Sequence, residues 1–253
     1  MKRALTQTYS LWLRDMKHIV RQPGRMLSYI GQPLLVWLFL GAGFRNSFES
    51  GADMTYSEYL YPGILILVSL FSAIFSTISI IEDRKSGFLQ GVLAAPVPRS
   101  VVALSKVLSG TTLGLGQAVI FLLLIPVAGL QATFASALLA LAVLFIIGMT
   151  FTNIGFAVSW KLNSTQGFHA VMNMLLMPLW LLSGAFFPPD KAAGWMQWIV
   201  KLNPLYYMNS LFADTLYAGS SAAHAGPGIA LSLGVTLAAF VLLTTNSIRV
   251  ART

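Results

Sequence analysis

The sequence predicts an all-α polytopic membrane protein, and three observations carry that expectation. Of 253 residues, 56% are hydrophobic and only 9% are charged, with a mean hydropathy of +0.73. Soluble domains carry roughly 25% charged residues. The apolar residues gather in six long runs, not in the alternating segments of about ten residues that mark an outer-membrane barrel. Finally, Lys and Arg fall overwhelmingly on one side of those runs.

The expected spans are 28–44, 60–81, 107–129, 137–160, 168–187 and 229–248. Most approach the roughly 20 residues that cross a hydrocarbon core. The first is shorter and contains Pro33, so it relies on tilt or on its neighbours. On one side of the spans lie 13 Lys/Arg residues, and on the other only Arg45, Lys191 and Lys201. The positive-inside rule then places both termini in the cytoplasm of an inner (plasma) membrane protein. The formal net charge of +8 is therefore read as topology and anionic lipid contact, not as a nucleic-acid face. The absence of cysteine leaves no disulfide framework and no thiolate metal site. No cleaved leader is expected, because the six Lys/Arg of the first 25 residues are not followed by an apolar core with a small-residue cleavage site.

Ahead of the first span, Leu5, Tyr9, Trp12, Leu13, Met16, Ile19 and Val20 recur at helical spacing, with Arg14, Lys17, His18 and Arg21 on the other side. This reads as a basic amphipathic helix at the cytoplasmic membrane surface, broken by Pro23-Gly24. After the second span, segment 82–106 opens with four charges and offers a short helix. Its Phe88, Leu89, Val92 and Leu93 share one face, and Pro96 and Pro98 stop it. Such a helix suits a partner's groove, although a helix lying on lipid, or a plain connection, fits the same residues.

The last external connection, between Phe187 and Ile229, is long and apolar. It is expected to hold two short re-entrant helices, 195–200 and 205–217, joined at Asn203-Pro204, with Trp195, Trp198, Tyr206 and Tyr207 at the interface. No repeat divides the chain, which is expected to form one domain over 1–253.

Within these spans His169 is the only ionisable side chain, which argues against a proton- or ion-coupled transporter. There is no GxSxG, no HExxH and no GxxxxGK[ST], so the chain offers neither catalysis nor its own ATP site. Gln117, Asn153 and Asn173 are mild polar groups of the kind that join helices. Asn153, Asn173 and Trp180 are the candidate lining of a path.

Taken together, the chain resembles the membrane subunits of type-2 ABC exporters. The likeness rests on length, six spans with both ends inside, the amphipathic N-terminal helix and two motifs. One is the post-span segment with Glu82, Arg84, Gly87, Leu93, Pro96, Arg99 and Lys106; the other is LNPLYY, Leu202–Tyr207. The resemblance implies that Phe88, Leu89, Val92, Leu93, Pro96 and Arg99 form a coupling helix docked on a separate cytosolic ATPase. That partner would bind ATP and Mg, while this chain holds no cofactor or metal. Glu82 and Arg84 would belong to a polar bundle, and Asn203, Pro204, Tyr206 and Tyr207 to the re-entrant external motif. It further implies a second permease copy or a close paralogue, with cargo passing between the two. Uncharged spans suit a hydrophobic or amphipathic drug or lipid-like cargo. A glycan or lipo-oligosaccharide exporter and a non-transporting assembly component are the alternative readings.

Overall fold

A computed structural model of the chain describes residues 2–44, 55–126, 128–130, 132–218 and 226–252, and every regular element among them is helical. Arg45, counted above among the external cations, lies outside the described residues. The helices are α1 (Lys2–Val20), α2 (Pro23–Gly43), α3 (Tyr56–Ser76), α4 (Ile78–Lys85), α5 (Phe88–Ala94), α6 (Arg99–Leu122), α7 (Phe134–Lys161), α8 (Thr165–Leu181), α9 (Gly194–Leu202), α10 (Pro204–Leu216) and α11 (Ile229–Arg252).

Local chemistry sets many of these boundaries. Thr55 and Glu58 form a reciprocal capping box at the start of α3, while Thr133 and Ser164 cap α7 and α8. Pro23 opens α2 at a position where its missing N–H costs nothing. Gly87 adopts φ +78° between α4 and α5, a conformation that lets the chain reverse and costs an L-residue strain.

Three stretches are long and apolar enough to cross a membrane: Tyr56–Lys85, Phe134–Lys161 and Ile229–Ala251. Ile30–Gly43 is a shorter apolar helix. The expected spans shift most at α6 and α8. α6 begins at Arg99, not at 107, and so carries Lys106 within the helix, where neighbouring carboxylates neutralise it. α8 ends at Leu181, not at 187, because the chain turns through Ser183 and Gly184, the latter at φ +72°.

The core is built around α3, buried continuously from Tyr59 to Phe75 and flanked by α2, α6, α7 and α10. Close approach of α6 depends on small residues. A Cβ added at Gly114 would lie 2.9 Å from the Ser69 carbonyl, and one at Gly110 would lie 2.8 Å from that of Ala73. Packing through small residues is the expected means of helix association where lipid removes the hydrophobic drive. α11 rests on α7 and α10 and leaves Leu231, Leu237, Val241 and Leu242 exposed, as a lipid-facing helix does.

Candidate coupling interface and cargo cleft

α1 lies along α6 and turns a polar side inward. Thr8 and Asp15, seven residues apart on one side of the helix, are buried, whereas Leu5, Tyr9 and Val20 of the apolar stripe are exposed. The helix thus offers apolar side chains outward and a carboxylate inward. Asp15 Oδ1 accepts from Lys106 Nζ at 3.0 Å, and Lys106 Nζ also meets Asp83 Oδ2 at 2.6 Å. Arg14 clamps Asp83 from the other side with two bonds, Nη2 to Oδ1 at 2.7 Å and Nη1 to Oδ2 at 3.0 Å. Ser109 and Ser79 hydroxyls complete the surroundings.

Two cations and two carboxylates make a neutral cluster, which is the condition for holding charge away from water. Burial works against the charge on Arg14, yet its hydrogen bond to Asp83 and the nearby carboxylates outweigh this and raise its pKa above the ordinary guanidinium value.

The same cluster reaches α5. The Arg14 guanidinium stacks over the Phe88 ring, 3.5 Å from its centroid. Leu89 is buried with Ile80, Val102 and Ala103, and Val92 packs against that group. The shared face expected for a partner therefore fastens α5 to its own bundle. Leu93 and the tip residues Gly91, Ala94, Ala95 and Pro96 remain exposed. A groove of about 450 Å³ opens between α1 and α5, lined by Gln7, Ser10, Phe88, Gly91 and Val92 among others. Arg99 is exposed at the first position of α6.

Of the two expected bundle charges, Glu82 is half-buried beside Asp83, and Arg84 turns elsewhere. Arg84 donates to the Leu162 and Trp160 carbonyls at 2.9 and 2.5 Å and to Asn163 Oδ1 at 2.8 Å. It thereby satisfies carbonyls at the C-terminus of α7 that the helix itself leaves open. Asp15, Asp83 and Lys106 come from three helices far apart in sequence, and no periodicity joins them as a set. The available signal was Asp15, a lone carboxylate within an otherwise basic helix.

At the opposite end, Asn203 joins two helices. Its Oδ1 accepts from the Leu205 N–H to cap α10, and its Nδ2 donates to the Leu179 and Leu182 carbonyls at the end of α8. Pro204 takes the first helical position of α10. Tyr206 is nearly buried beside Gly184, and the Tyr207 hydroxyl donates to the Lys201 carbonyl. Tyr217 and Tyr56 hydroxyls donate to the Glu58 and Phe186 carbonyls, at 2.6 and 3.0 Å, tying this region to α3.

A cleft of about 500 Å³ lies between α2, α3 and α8, with Phe71, Phe75, His169, Asn173, Met177 and Trp180 in its walls. His169 stacks on Phe75 with centroids 4.9 Å apart, and Trp180 Nε1 donates to the Gly63 carbonyl at 2.9 Å. The structure thus brings Asn173 and Trp180 together. Asn153 is elsewhere, donating to Met149 and Thr244 and joining α7 to α11.

A helical membrane protein with this charge-linked short helix and an apolar side cleft has the build of a transport permease. A model of the ABC-2 type transporter family matches residues 6–217. The chain belongs to that family and is a membrane subunit of an ABC transporter. It is 31% identical over 191 residues to the putative transport permease ycf38 of Cyanophora paradoxa, covering 74% of this chain and 66% of that one. It is 25% identical over 250 residues to the daunorubicin resistance ABC transporter permease DrrB1 of Streptomyces coeruleorubidus, covering 92% and 82%. To nodulation protein J of Neorhizobium galegae it is 21% identical over 232 residues, covering 87% and 82%. The chain spans about two thirds of the length of the ycf38 relatives from Cyanophora and Porphyra.

Proposed function

We propose that this chain is the six-span permease of an ATP-driven exporter, with both termini cytoplasmic and α5 docked on a separate ATPase. The observation that carries the reading is the fastening of α5. An exposed helical tip is held to α1 by Arg14 over Phe88 and to α4 and α6 through Leu89 and the Asp83–Lys106 pair. A push on that tip is passed to three helices at once, which a loosely tethered loop could not do. ATP and Mg are bound by the partner, and this chain supplies no catalytic group.

A second copy of the chain, or a close paralogue, covers the cleft between α2, α3 and α8, so that cargo moves between the two permeases. Aromatic and apolar walls with His169, Asn173 and Gln32 as polar points suit a hydrophobic or amphipathic molecule of drug or lipid character. The named roles of relatives in daunorubicin resistance and as a probable multidrug permease of Escherichia coli support that class of cargo.

The test is co-reconstitution of the chain with its ATPase in proteoliposomes. Daunorubicin, used as a fluorescent amphipathic probe, is expected to stimulate ATP hydrolysis and to accumulate in the lumen of inside-out vesicles. Absence of any ATPase that binds the chain, or ATP hydrolysis indifferent to the permease, overturns the reading.

A further inference from the structure

A separate pocket of about 380 Å³ is walled by α9, α10, α11 and the short turn Pro189–Lys191. Asp190, Lys201, Tyr206, Tyr207 and Leu231 line it, so an acid and a base stand in the walls themselves. Gln197 donates to the Asp190 and Ala192 carbonyls at 3.3 and 3.0 Å, which holds the turn to α9. The Tyr207 hydroxyl donates to the Lys201 carbonyl and the Ser210 hydroxyl to the Pro227 carbonyl. α10 is thereby tied to α9 and to the segment before α11, and the two charges ride on a braced frame.

Those charges are uncommitted. Among the described residues neither the Asp190 carboxylate nor the Lys201 ammonium makes a hydrogen bond or an ion pair, and the Tyr206 hydroxyl has no bond either. Burial raises the pKa of the Tyr206 phenol and the nearby Asp190 carboxylate adds to the rise, which sets an intact phenol close to an anion. A purely anionic ligand would be opposed by Asp190, and a purely cationic one by Lys201. An unpaired acid and base in one pocket match a ligand that carries both charges on separate atoms.

The setting narrows the class. α9 leaves Trp195, Trp198, Ile199 and Leu202 exposed, as a helix at a membrane interface does. Leu231, in the pocket wall, is an exposed leucine of α11. A pocket with charged walls and one apolar, exposed wall at that depth suits a lipid headgroup with its tails alongside. We propose that it holds a phosphoethanolamine headgroup, the phosphate on Lys201 and the ammonium shared by Asp190 and the Tyr206 hydroxyl. A primary ammonium has donors for both, each bond assisted by its charge. The proposal requires neither the cargo nor the ATPase assignment, so its failure and theirs are distinguishable.

The test uses the full chain purified in detergent and incubated with phosphatidylethanolamine, phosphatidylglycerol or phosphatidylcholine of equal chain length, read by native mass spectrometry. Phosphatidylethanolamine is expected to be retained about tenfold better than phosphatidylglycerol, which brings the phosphate but no cation for Asp190. It is expected to exceed phosphatidylcholine about threefold, because a quaternary ammonium has no N–H to donate. Asp190→Asn is expected to bring the ethanolamine and glycerol lipids within about twofold of each other, and Lys201→Gln to weaken retention of the ethanolamine lipid about fivefold. Both residues are exposed, so wild-type melting is expected of each variant. Equal retention of the ethanolamine lipid and either of the others, or an unchanged preference in both variants, overturns the proposal. Displacement by an equal concentration of soluble glycerophosphoethanolamine also overturns it, because the pocket then takes the free zwitterion without a membrane lipid.

Discussion

Asp83 is held on both sides at once, by Lys106 Nζ at 2.6 Å and by the two-pronged guanidinium of Arg14. These residues come from α4, α6 and α1, so one carboxylate fixes the mutual positions of three helices at the root of α5. Removing it leaves Arg14 and the almost wholly buried Lys106 ammonium to share one carboxylate, that of Asp15.

Asp83→Ala is therefore expected to destabilise the folded chain by about 3–5 kcal/mol, because the cluster is left with one positive charge in excess away from water. Arg14→Gln should cost no more than about 1 kcal/mol, since its side chain is 37% exposed and solvent screens it. The double variant Asp83→Leu with Lys106→Met should recover most of the loss. Thermal unfolding in detergent checks all three, and a stable Asp83→Ala would show that the cluster carries no strength.

Leu89 and Leu93 separate packing from docking on one short helix. Leu89 is 4% exposed and Leu93 is 36% exposed. Leu89→Ala is expected to cost roughly 2–5 kcal/mol of stability, as buried leucines do. Leu93→Asp should leave melting unchanged yet abolish cargo-stimulated ATP hydrolysis with the partner ATPase. Normal coupling in Leu93→Asp would remove the tip of α5 from the interface.

Arg84→Ala should lower stability by about 1–3 kcal/mol through the loss of its bonds to the end of α7. Arg84→Lys is not expected to restore it, because a point charge cannot reproduce a planar fork. Full rescue by lysine would assign the residue a general electrostatic role.

Asn203→Ala is expected to cost about 2–3 kcal/mol, since one amide caps α10 and satisfies two carbonyls of α8. Asn203→Asp keeps the cap acceptor but turns a carboxylate oxygen toward both carbonyls, so it should be no more stable than Asn203→Ala. Calorimetry or fluorescence-monitored melting ranks them.

Orientation is open to single-cysteine labelling in this cysteine-free chain. Ser136 is buried at the start of α7, but Ala135 beside it is exposed, as is Ser86 before α5. Ala135→Cys is expected to react with an impermeant thiol reagent in intact cells, whereas Ser86→Cys is expected to be protected. The reverse pattern would invert the chain and remove α5 from the cytoplasm.

Much of the fold was legible without coordinates, because it follows from local rules. The apolar runs had to become helices, since only helices satisfy every backbone group within lipid without a partner strand. Pro96, Pro98 and Asn203-Pro204 then marked where helices stop and turn, and α5, α9 and α10 lie where those residues place them. What tertiary structure alone decided was which side of each helix faces protein. The apolar stripe of α1 marked a side suited to a membrane surface, but periodicity did not say that Asp15 turns inward, where Lys106, 91 residues away, meets it. Likewise Arg84, adjacent to the cluster in sequence, serves the end of α7 instead, and Asn153 parts company with Asn173 and Trp180. Periodicity reports that a face exists, whereas the pairing of charges across distant helices is a property of the packed whole.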